Sequence, residues 1–270
     1  MRTNNIFSKS VIAMVHIRSL PGTPKYEMDM QSIISTAINE AMIYKNSGVD
    51  AIMIENMHDL PYLNNNAGPE ITGAMAVIAY EIKLKTNLPV GIQILAAANK
   101  ETLAVAHAAG LDFIRAEGFV FAHVADEGII ESNAGELLRY RKYIGAEDIL
   151  VFTDIKKKHS SHSITSDISI VETAKAAEFF LSDGIIITGK STGVEADIEE
   201  LTQVKENTNI PILIGSGITY DNIDKYFNLA NSFIVGSHFK IDGNWANKID
   251  ETRVKRFMSK INEIKNSIMS

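Results

Sequence analysis

Two glycine-bearing segments near the end of the chain have the residue types of a phosphate site. Residues 211–218 read Pro-Ile-Leu-Ile-Gly-Ser-Gly-Ile, and residues 233–238 read Phe-Ile-Val-Gly-Ser-His. Each is an apolar run, typical of a buried parallel strand, that breaks at glycine and turns polar. Glycine lets the backbone approach an anion closely, so that main-chain N–H groups become donors. The pattern predicts phosphate binding by Gly189, Gly215, Ser216, Gly217, Gly236 and Ser237.

Carboxylates and lysines at the ends of other apolar runs are candidates for acid–base chemistry. Glu55 follows Ile52-Met53-Ile54, and Asp154 follows Val151-Phe152-Thr153. Either carboxylate could move a proton, because burial tunes a carboxyl pKa, or could serve only to orient a neighbouring group. Lys156 or Lys158 could stabilise a developing oxyanion or form a Schiff base.

Histidine, arginine and tryptophan residues occupy similar positions. His16 ends the first apolar run, and His159 follows the fifth, so the two could complete an acid–base pair. Arg115 could act in the site or form a structural pair with Glu117, two positions along the same run. Trp245, the only tryptophan, is expected to anchor a C-terminal segment rather than to stack on a ligand.

A divalent metal is an alternative ligand at the fifth run. His159 and His162 are three positions apart and could bind a metal ion together with Asp154. Lysines at positions 156–158 would repel a cation and favour an anion, and the chain has no His-Glu-x-x-His motif. The sequence therefore requires no cofactor, although a metal stays open.

Eight apolar runs alternate with segments of helical periodicity, which is typical of an α/β protein with parallel strands. No Gly-x-Gly-x-x-Gly follows the first run, which argues against a dinucleotide-binding fold. We predict a single (β/α)8 TIM barrel over residues 1–270, with the polar residues at the C-terminal ends of the strands. The predicted strands are Val11–Ile17, Ala51–Glu55, Val90–Leu95, Phe113–Ala116, Leu150–Ile155, Gly184–Thr188, Ile212–Ile214 and Phe233–Val235.

Composition limits the classes of partner. The 270 residues carry 26 basic and 33 acidic side chains, for a net charge of −7, so nucleic-acid binding is not expected. The chain has no cysteine, and no targeting segment or apolar run long enough to span a bilayer. We expect a cytoplasmic protein without membrane insertion that binds a phosphorylated small molecule and could form homo-oligomers.

The order of these motifs resembles the BtpA family, which includes SgcQ-like proteins. The resemblance lies in Met14-Val15-His16-Ile17, Leu20-Pro21-Gly22-Thr23-Pro24, Gly48-Val49-Asp50-Ala51, Glu55-Asn56, Phe113-Ile114-Arg115, Asp126-Glu127-Gly128, Leu138-Arg139-Tyr140-Arg141, Thr188-Gly189, Thr192-Gly193, Gly215-Ser216-Gly217, Val235-Gly236-Ser237, Lys240 and Asp242-Gly243. It implies a phosphate-binding type of TIM barrel and maps the family's Asp…Lys-His stretch onto Asp154, Lys158 and His159. The chain departs from the family in an extended lysine run and in Gln93 and Glu117.

Three functions follow from these expectations. The first is an enzyme that acts on a sugar phosphate or nucleotide-like metabolite, as an isomerase, lyase or hydrolase. The second is a non-catalytic assembly protein with a vestigial phosphate site, since the family's namesake is associated with photosystem I biogenesis. The third is a metal-dependent hydrolase using His16, Glu55, Asp154 and His159. Fold alone does not choose among them.

Overall fold

The apolar runs form the eight parallel strands of a closed barrel in the computed structural model, which describes residues 8–189 and 194–269. The predicted TIM barrel is confirmed, and no predicted strand end differs from the observed one by more than two residues. In chain order the strands are β1 (Ser10–His16), β2 (Ala51–Glu55), β3 (Val90–Gln93), β4 (Phe113–Ala116), β5 (His123–Ala125), β6 (Gly128–Ile130), β7 (Leu150–Ile155), β8 (Ser160–Ser161), β9 (Gly184–Ile187), β10 (Ile212–Ile214) and β11 (Ser232–Val235). Around the barrel the order is β1-β11-β10-β9-β7-β4-β3-β2.

Helices connect the barrel strands and cover them from outside. The Asp29 side chain accepts a hydrogen bond from the amide of Ser32 and starts the first helix, and Ser169 and Glu172 form a capping box at the fifth. The helices are α1 (Met30–Asn46), α2 (Pro69–Thr86), α3 (Asn99–Ala108), α4 (Ala134–Tyr143), α5 (Ile170–Phe179), α6 (Ile198–Asn207), α7 (Ile223–Tyr226) and α8 (Glu251–Met269).

Two hydrophobic layers hold these elements together. Inside the barrel, the rings of Phe113 and Phe152 lie 5.6 Å apart, among aliphatic side chains of the neighbouring strands. Gly91 makes room for this pair, because a Cβ there would come within 2.1 Å of the Phe113 ring. A larger layer of buried aliphatic side chains lies between the strands and the helices. Side chains therefore fill the interior of the barrel, which is a packed core and not a channel.

A second, smaller sheet lies in the loops that follow the barrel strands. The hairpin of β5 and β6 follows β4, and β8 follows β7, in the antiparallel order β6-β5-β8. Asn64 fixes the hairpin, since its side-chain amide donates to the carbonyls of Glu127 and Ile129 at 3.1 and 2.9 Å. These strands lie outside the eight predicted runs, and the turn between β5 and β6 lies near the C-terminal ends of the barrel strands.

The last segment of the chain returns to the barrel. After β11, Lys240 is buried, and its ammonium lies 2.8 Å from the carboxylate of Glu40 in α1. Helix α8 then packs through Val254, Phe257 and Ile261, all fully buried. The chain between β11 and α8 is thereby held across the same end of the barrel as the other strand-following loops.

Candidate active site

A cavity of about 520 Å³ opens at the C-terminal ends of the barrel strands. Its walls come from strand β1 and the loops after β2, β3, β4, β7, β10 and β11, together with the β5–β6 turn and α8. Of the candidate residues, the structure brings ten to its lining: His16, Glu55, Arg115, Lys158, His159, Gly215, Ser216, Gly217, Gly236 and Ser237. The remaining candidates, Asp154, Lys156, His162 and Gly189, do not line it.

The loop after β10 forms one wall and is held in a tight conformation. Gly217 has a φ of +72°, and a Cβ there would lie 2.2 Å from the carbonyl oxygen of Val194. Both the conformation and the close approach therefore require glycine. Asn222 fixes the loop by donating to the carbonyl of Gly217 at 2.7 Å and accepting from the amide of Thr219 at 2.8 Å.

Two neighbouring loops that line the cavity carry main-chain N–H groups without a protein acceptor in the described residues. No acceptor among residues 8–189 and 194–269 takes the amide hydrogens of Gly217, Ile218, Ser237 and His238. The first two follow β10 and the others follow β11, and these strands are paired side by side. Adjacent amides without protein acceptors are suited to an anion.

Gly236 differs from Gly217 in its surroundings. A Cβ at Gly236 would make ordinary contacts of 3.5 Å with Met14 and His16, so the neighbouring side chains leave room for one. The backbone at Gly236, with φ −114° and ψ −89°, lies outside the regions that non-glycine residues ordinarily adopt, and this conformation favours glycine. Gly189 does not line the cavity. A Cβ at this position would lie 2.1 Å from the carbonyl oxygen of Val194. Gly189 therefore supports the packing of the chain behind the β10 loop.

A histidine and a carboxylate line the cavity next to the β11 loop, where the His16 ring lies about 3.5 Å from a Cβ built at Gly236. The Nε2 atom of His16 and the Oε2 atom of Glu55 are 3.8 Å apart, and both residues are buried. The Nδ1 atom of His16 lies 3.2 Å from the carbonyl oxygen of Trp245, to which it donates. In the neutral ring, Nε2 is therefore an acceptor directed toward Glu55.

Burial shifts the pKa of both groups toward their neutral forms. Desolvation and the nearby Lys240 charge lower the pKa of His16 to about 3. Desolvation raises the pKa of Glu55, although Arg115 and Lys158 act in the opposite direction. A buried carboxyl group with a raised pKa, beside a neutral imidazole, is suited to exchange a proton with a ligand in the cavity.

Asp154 is engaged in a buried ion pair. Its two carboxylate oxygens accept from Nε and Nη2 of Arg115 at 2.7 and 2.8 Å, and the Asp154 side chain is fully buried. Arg115 thus pairs with Asp154 on the adjacent strand β7, not with Glu117 as the alternative from sequence had it. This pair places the guanidinium at the cavity and leaves the Asp154 carboxylate behind it.

The three consecutive lysines after β7 point in different directions. Lys156 has a φ of +47°, and its ammonium donates to the carbonyls of Thr165 and Ile168 at 3.2 and 2.6 Å, away from the main cavity. Lys157 lies 3.1 Å from a carboxylate oxygen of Glu117 and lines the cavity. Lys158 also lines the cavity, and desolvation together with the Arg115 charge lowers its pKa.

The residues of the hypothetical metal site are separated from one another. His162 donates from Nε2 to the carbonyl of Lys157 at 2.9 Å, Asp154 binds Arg115, and His159 lies on the main cavity. Within the described ranges, no group of three or more histidine and carboxylate side chains is placed to hold a metal ion. The arrangement is thus better suited to an anionic organic ligand.

Some cavity residues are absent from the sequence-based set. Trp245 forms a wall, with its ring centroid 4.9 Å from His58 and 6.1 Å from His16. It contacts the site rather than serving only as an anchor. Arg253 of α8 lines the cavity, and its guanidinium donates to the carbonyl of Lys240 at 2.7 Å. Neither position follows a strand, so the strand-end pattern could not identify them; a lone tryptophan was the available signal.

Comparison with known proteins supports the family and the fold. The model of the BtpA family matches residues 7–263. A Caenorhabditis elegans relative, described as mitochondrial, is 50% identical over 260 residues, which is 94% of each chain. The photosystem I biogenesis protein BtpA of Synechocystis is 34% identical over 256 residues, covering 94% of this chain and 88% of that protein.

Solved structures with low sequence identity share the barrel. Orotidine 5'-monophosphate decarboxylase from Methanocaldococcus jannaschii matches with a TM-score of 0.61 and 17% identity, over 95% of this chain and 99% of that one. Thiamine phosphate pyrophosphorylase from Pyrococcus furiosus matches with a TM-score of 0.59 and 13% identity, over 96% and 98% of the two chains. At such identities the likeness shows the fold alone.

Location in the cell and assembly state stay predictions. In residues 8–189 and 194–269, no helix has the length and apolar character needed to cross a bilayer. The mitochondrial description of the nematode relative does not support the cytoplasmic expectation for this chain.

The match of the family model to nearly the whole chain, and the extensive identity with the Synechocystis protein, show that the chain belongs to the BtpA family.

Proposed function

We propose that this protein is an enzyme that binds a phosphorylated small metabolite and catalyses proton transfer on it. The carrying observation is that one cavity is lined both by the loops after β10 and β11, whose amides have no acceptor in the described residues, and by the buried Glu55. The phosphate would accept from the amides of Gly217, Ile218, Ser237 and His238, with Arg253 beside it. The rest of the metabolite would extend toward Glu55 and Lys158.

Acid–base chemistry is supported by the state of Glu55 and His16. Glu55 would donate or accept the proton, because burial moves its pKa toward neutral pH, where proton exchange by a carboxyl group is more effective. His16, neutral and hydrogen-bonded to the Trp245 carbonyl, would orient Glu55 or a bound hydroxyl. Lys158 would face the reacting part of the metabolite. Isomerisation and lyase chemistry both need such a proton transfer.

The titles of the structural neighbours agree with a phosphorylated ligand. They name thiamine phosphate pyrophosphorylase, phosphoribosylanthranilate isomerase and orotidine 5'-monophosphate decarboxylase. Each of these names includes a phosphate-bearing compound. The shared architecture makes the same loops available here for a phosphate, while the reaction depends on residues particular to this cavity.

Binding can be tested with inorganic phosphate before the metabolite is known. Isothermal titration of the wild type should detect phosphate binding, and Gly236→Ala should weaken it about tenfold or more, equivalent to about 1.4 kcal/mol. The added methyl group would lie near His16 without a clash with protein atoms, and it would occupy space that the bound phosphate needs. Gly135→Ala in α4, outside the cavity lining, is the matched control. Equal binding by all three proteins would refute the phosphate site.

A non-catalytic assembly role is the second candidate, supported by the name of the Synechocystis relative. The two roles differ in their dependence on Glu55. Glu55→Gln should abolish complementation of a deletion strain if the protein is an enzyme, provided that the variant accumulates to wild-type levels. Full complementation would favour the assembly role.

A further inference from the structure

The positive charges at the deep end of the cavity are not equally engaged. Arg115 is held by Asp154 through two hydrogen bonds, and Lys157 is paired with Glu117 at 3.1 Å. In the part of the chain that the structure describes, the Lys158 ammonium makes neither an ion pair nor a hydrogen bond. Lys158 is therefore the cavity amine that is available to a ligand.

The surroundings of Lys158 favour the neutral amine, which is the nucleophilic form. Its side chain is largely desolvated, and the Arg115 guanidinium adds a like charge, so its pKa is lowered. The nearby carboxylates, of which Glu55 contributes most, oppose this shift and do not reverse its direction. Desolvation beside a second cation is a known way to activate a lysine for attack on a carbonyl group.

We propose that Lys158 forms a Schiff base with the carbonyl carbon of a phosphorylated aldehyde or ketone. This inference rests on the proposed phosphate site and narrows its ligand to carbonyl compounds. The phosphate loops would hold one end of the molecule, while Lys158 and Glu55 meet the carbonyl at the other. The Lys158 amine, the buried Glu55 carboxyl group and the main-chain amides of the β10 and β11 loops belong to residues that line the same cavity.

The reaction balances with these groups alone. The Lys158 nitrogen gives its electron pair to the carbonyl carbon, while the carbonyl oxygen takes a proton from Glu55. The carboxylate then takes a proton from the nitrogen, which leaves a neutral carbinolamine. When Glu55 gives this proton to the hydroxyl group, water leaves and a protonated imine forms. One amine, one carbonyl group and one proton thus become one iminium ion and one water.

Borohydride trapping tests the assignment. The full chain is incubated separately with ribose 5-phosphate, glyceraldehyde 3-phosphate and dihydroxyacetone phosphate. Each sample is then reduced with borohydride, and peptide mass spectrometry locates the modified residue. We expect a reduced adduct at Lys158 that excess inorganic phosphate suppresses and that ribose or glyceraldehyde does not form. Lys158→Arg should abolish it, whereas Lys156→Arg, altered at the neighbouring lysine that faces away, should retain it.

Phosphate titration of the same samples separates the two hypotheses. If phosphate binds but none of the three compounds leaves an adduct at Lys158, the Schiff-base assignment is wrong and the phosphate site stands. An adduct that persists in Lys158→Arg would also overturn the assignment. If phosphate does not bind, the proposed function fails together with this inference.

Helix α2 carries an independent feature, an apolar stripe on its outward face. Val77, Tyr80 and Leu84 are each at least half exposed and continue the line of Gly73, with spacings of four, three and four residues. The inward face of the helix is also apolar, as Ile71, Met75, Ile78 and Ile82 show. A helix that is apolar on both faces is usually buried on both.

We infer that this stripe packs against the same helix of a second copy of the chain. In an antiparallel pair about a twofold axis, Val77 faces Tyr80 of the other copy, and Gly73 faces Leu84. A Cβ added at Gly73 would meet no atom within 4 Å, so packing within the chain does not require a glycine that weakens the helix relative to alanine. In the dimer this position would receive the leucine of the second copy. Charge is complementary in the same arrangement, since Glu70 in the first turn approaches Lys85 in the last.

Sedimentation equilibrium of the purified chain tests this inference. We expect a dimer, and we expect Val77→Glu with Leu84→Lys to yield a monomer with an unchanged far-ultraviolet circular dichroism spectrum. Phe179→Ser, at another exposed apolar side chain, should leave the dimer intact. A wild-type monomer at all concentrations, or a dimer lost only in Phe179→Ser, would overturn the inference.

Discussion

Replacement of the buried carboxylates Asp154 and Glu55 by their amides should have opposite effects on the free energy of unfolding. Asp154→Asn removes the partner of a buried guanidinium, whereas Glu55→Gln removes a carboxylate that accepts no hydrogen bond from the described residues. The closest Arg115–Asp154 contact is 2.7 Å, which corresponds to about 6 kcal/mol of attraction at an effective dielectric constant of about 20. Glu55 and Glu117 also stabilise the Arg115 charge and would retain part of this attraction.

We therefore expect Asp154→Asn to lower the free energy of unfolding by about 3–5 kcal/mol, the usual effect of leaving a buried charge unpaired. For a chain of this size the melting temperature should fall by roughly 6–20 °C. Replacing both partners, with Arg115→Met and Asp154→Leu, should recover most of the loss, because no unpaired charge remains. Urea unfolding followed by far-ultraviolet circular dichroism measures each value.

Glu55→Gln should stabilise the protein, increasingly so as the pH rises. The raised pKa means that the folded state holds the Glu55 proton more tightly than the unfolded state does. Above the ordinary carboxyl pKa, the native state therefore loses stability that an uncharged amide would retain. The fluorescence of Trp245 at the cavity wall reports whether the site remains intact. If Glu55→Gln is as destabilising as Asp154→Asn, our assignment of the two carboxylates to different roles is wrong.

Further expected outcomes concern other charged groups. Lys240→Met should lower the free energy of unfolding by about 3–5 kcal/mol, because Glu40 keeps a buried charge without its partner. Urea unfolding measures this loss, and the additional substitution Glu40→Leu in the same chain should restore the stability. His16 has a pKa of about 3, so its ring-proton NMR shift should stay constant from about pH 5 to 8. Since unfolding releases this ring to its ordinary pKa of 6.5, its contribution should lower stability as the pH falls from about 6.5 to 3. Lys156→Met should cost about 1.5–3 kcal/mol through its lost carbonyl hydrogen bonds, while phosphate affinity by calorimetry should not change.

The barrel was predictable because its signal is local. Strands buried on both faces read as continuous apolar runs, and four of them, such as Ala51–Glu55, have the bounds predicted from sequence. Helix ends were less certain. Asn99 has a residue type that often caps helices, yet it is the first residue of α3 and Ala98 occupies the cap position. The Asn99 side chain instead bonds the backbone of Glu117, at the end of β4. That contact joins distant segments and leaves no local pattern.

The placement of site residues depended on geometry that sequence spacing does not contain. Asp154 and Arg115 are 39 positions apart and meet because β4 and β7 are neighbours in a particular register. Lys156 and Lys158 have the same residue type, and the left-handed backbone at Lys156 turns its side chain away. Trp245 reaches the cavity only because α8 and the buried Lys240 hold the last segment across the barrel. Sequence could therefore name a set of candidates but could not divide it between structure and chemistry.

The thermodynamic state of the cavity also bears on the choice between enzyme and assembly protein. A protein whose phosphate site had lost its use would gain stability by replacing Glu55, whose carboxylate faces a neutral imidazole at 3.8 Å, with an uncharged residue. Lys158 likewise carries a desolvation cost that no ion pair in the described residues offsets. Uncompensated groups of this kind concentrate where a ligand or a reaction uses them. If Glu55→Gln and Lys158→Met each raise the melting temperature while complementation of the deletion strain is lost, the cavity is maintained for chemistry. If both variants gain stability and complement fully, the enzyme proposal loses its main physical support.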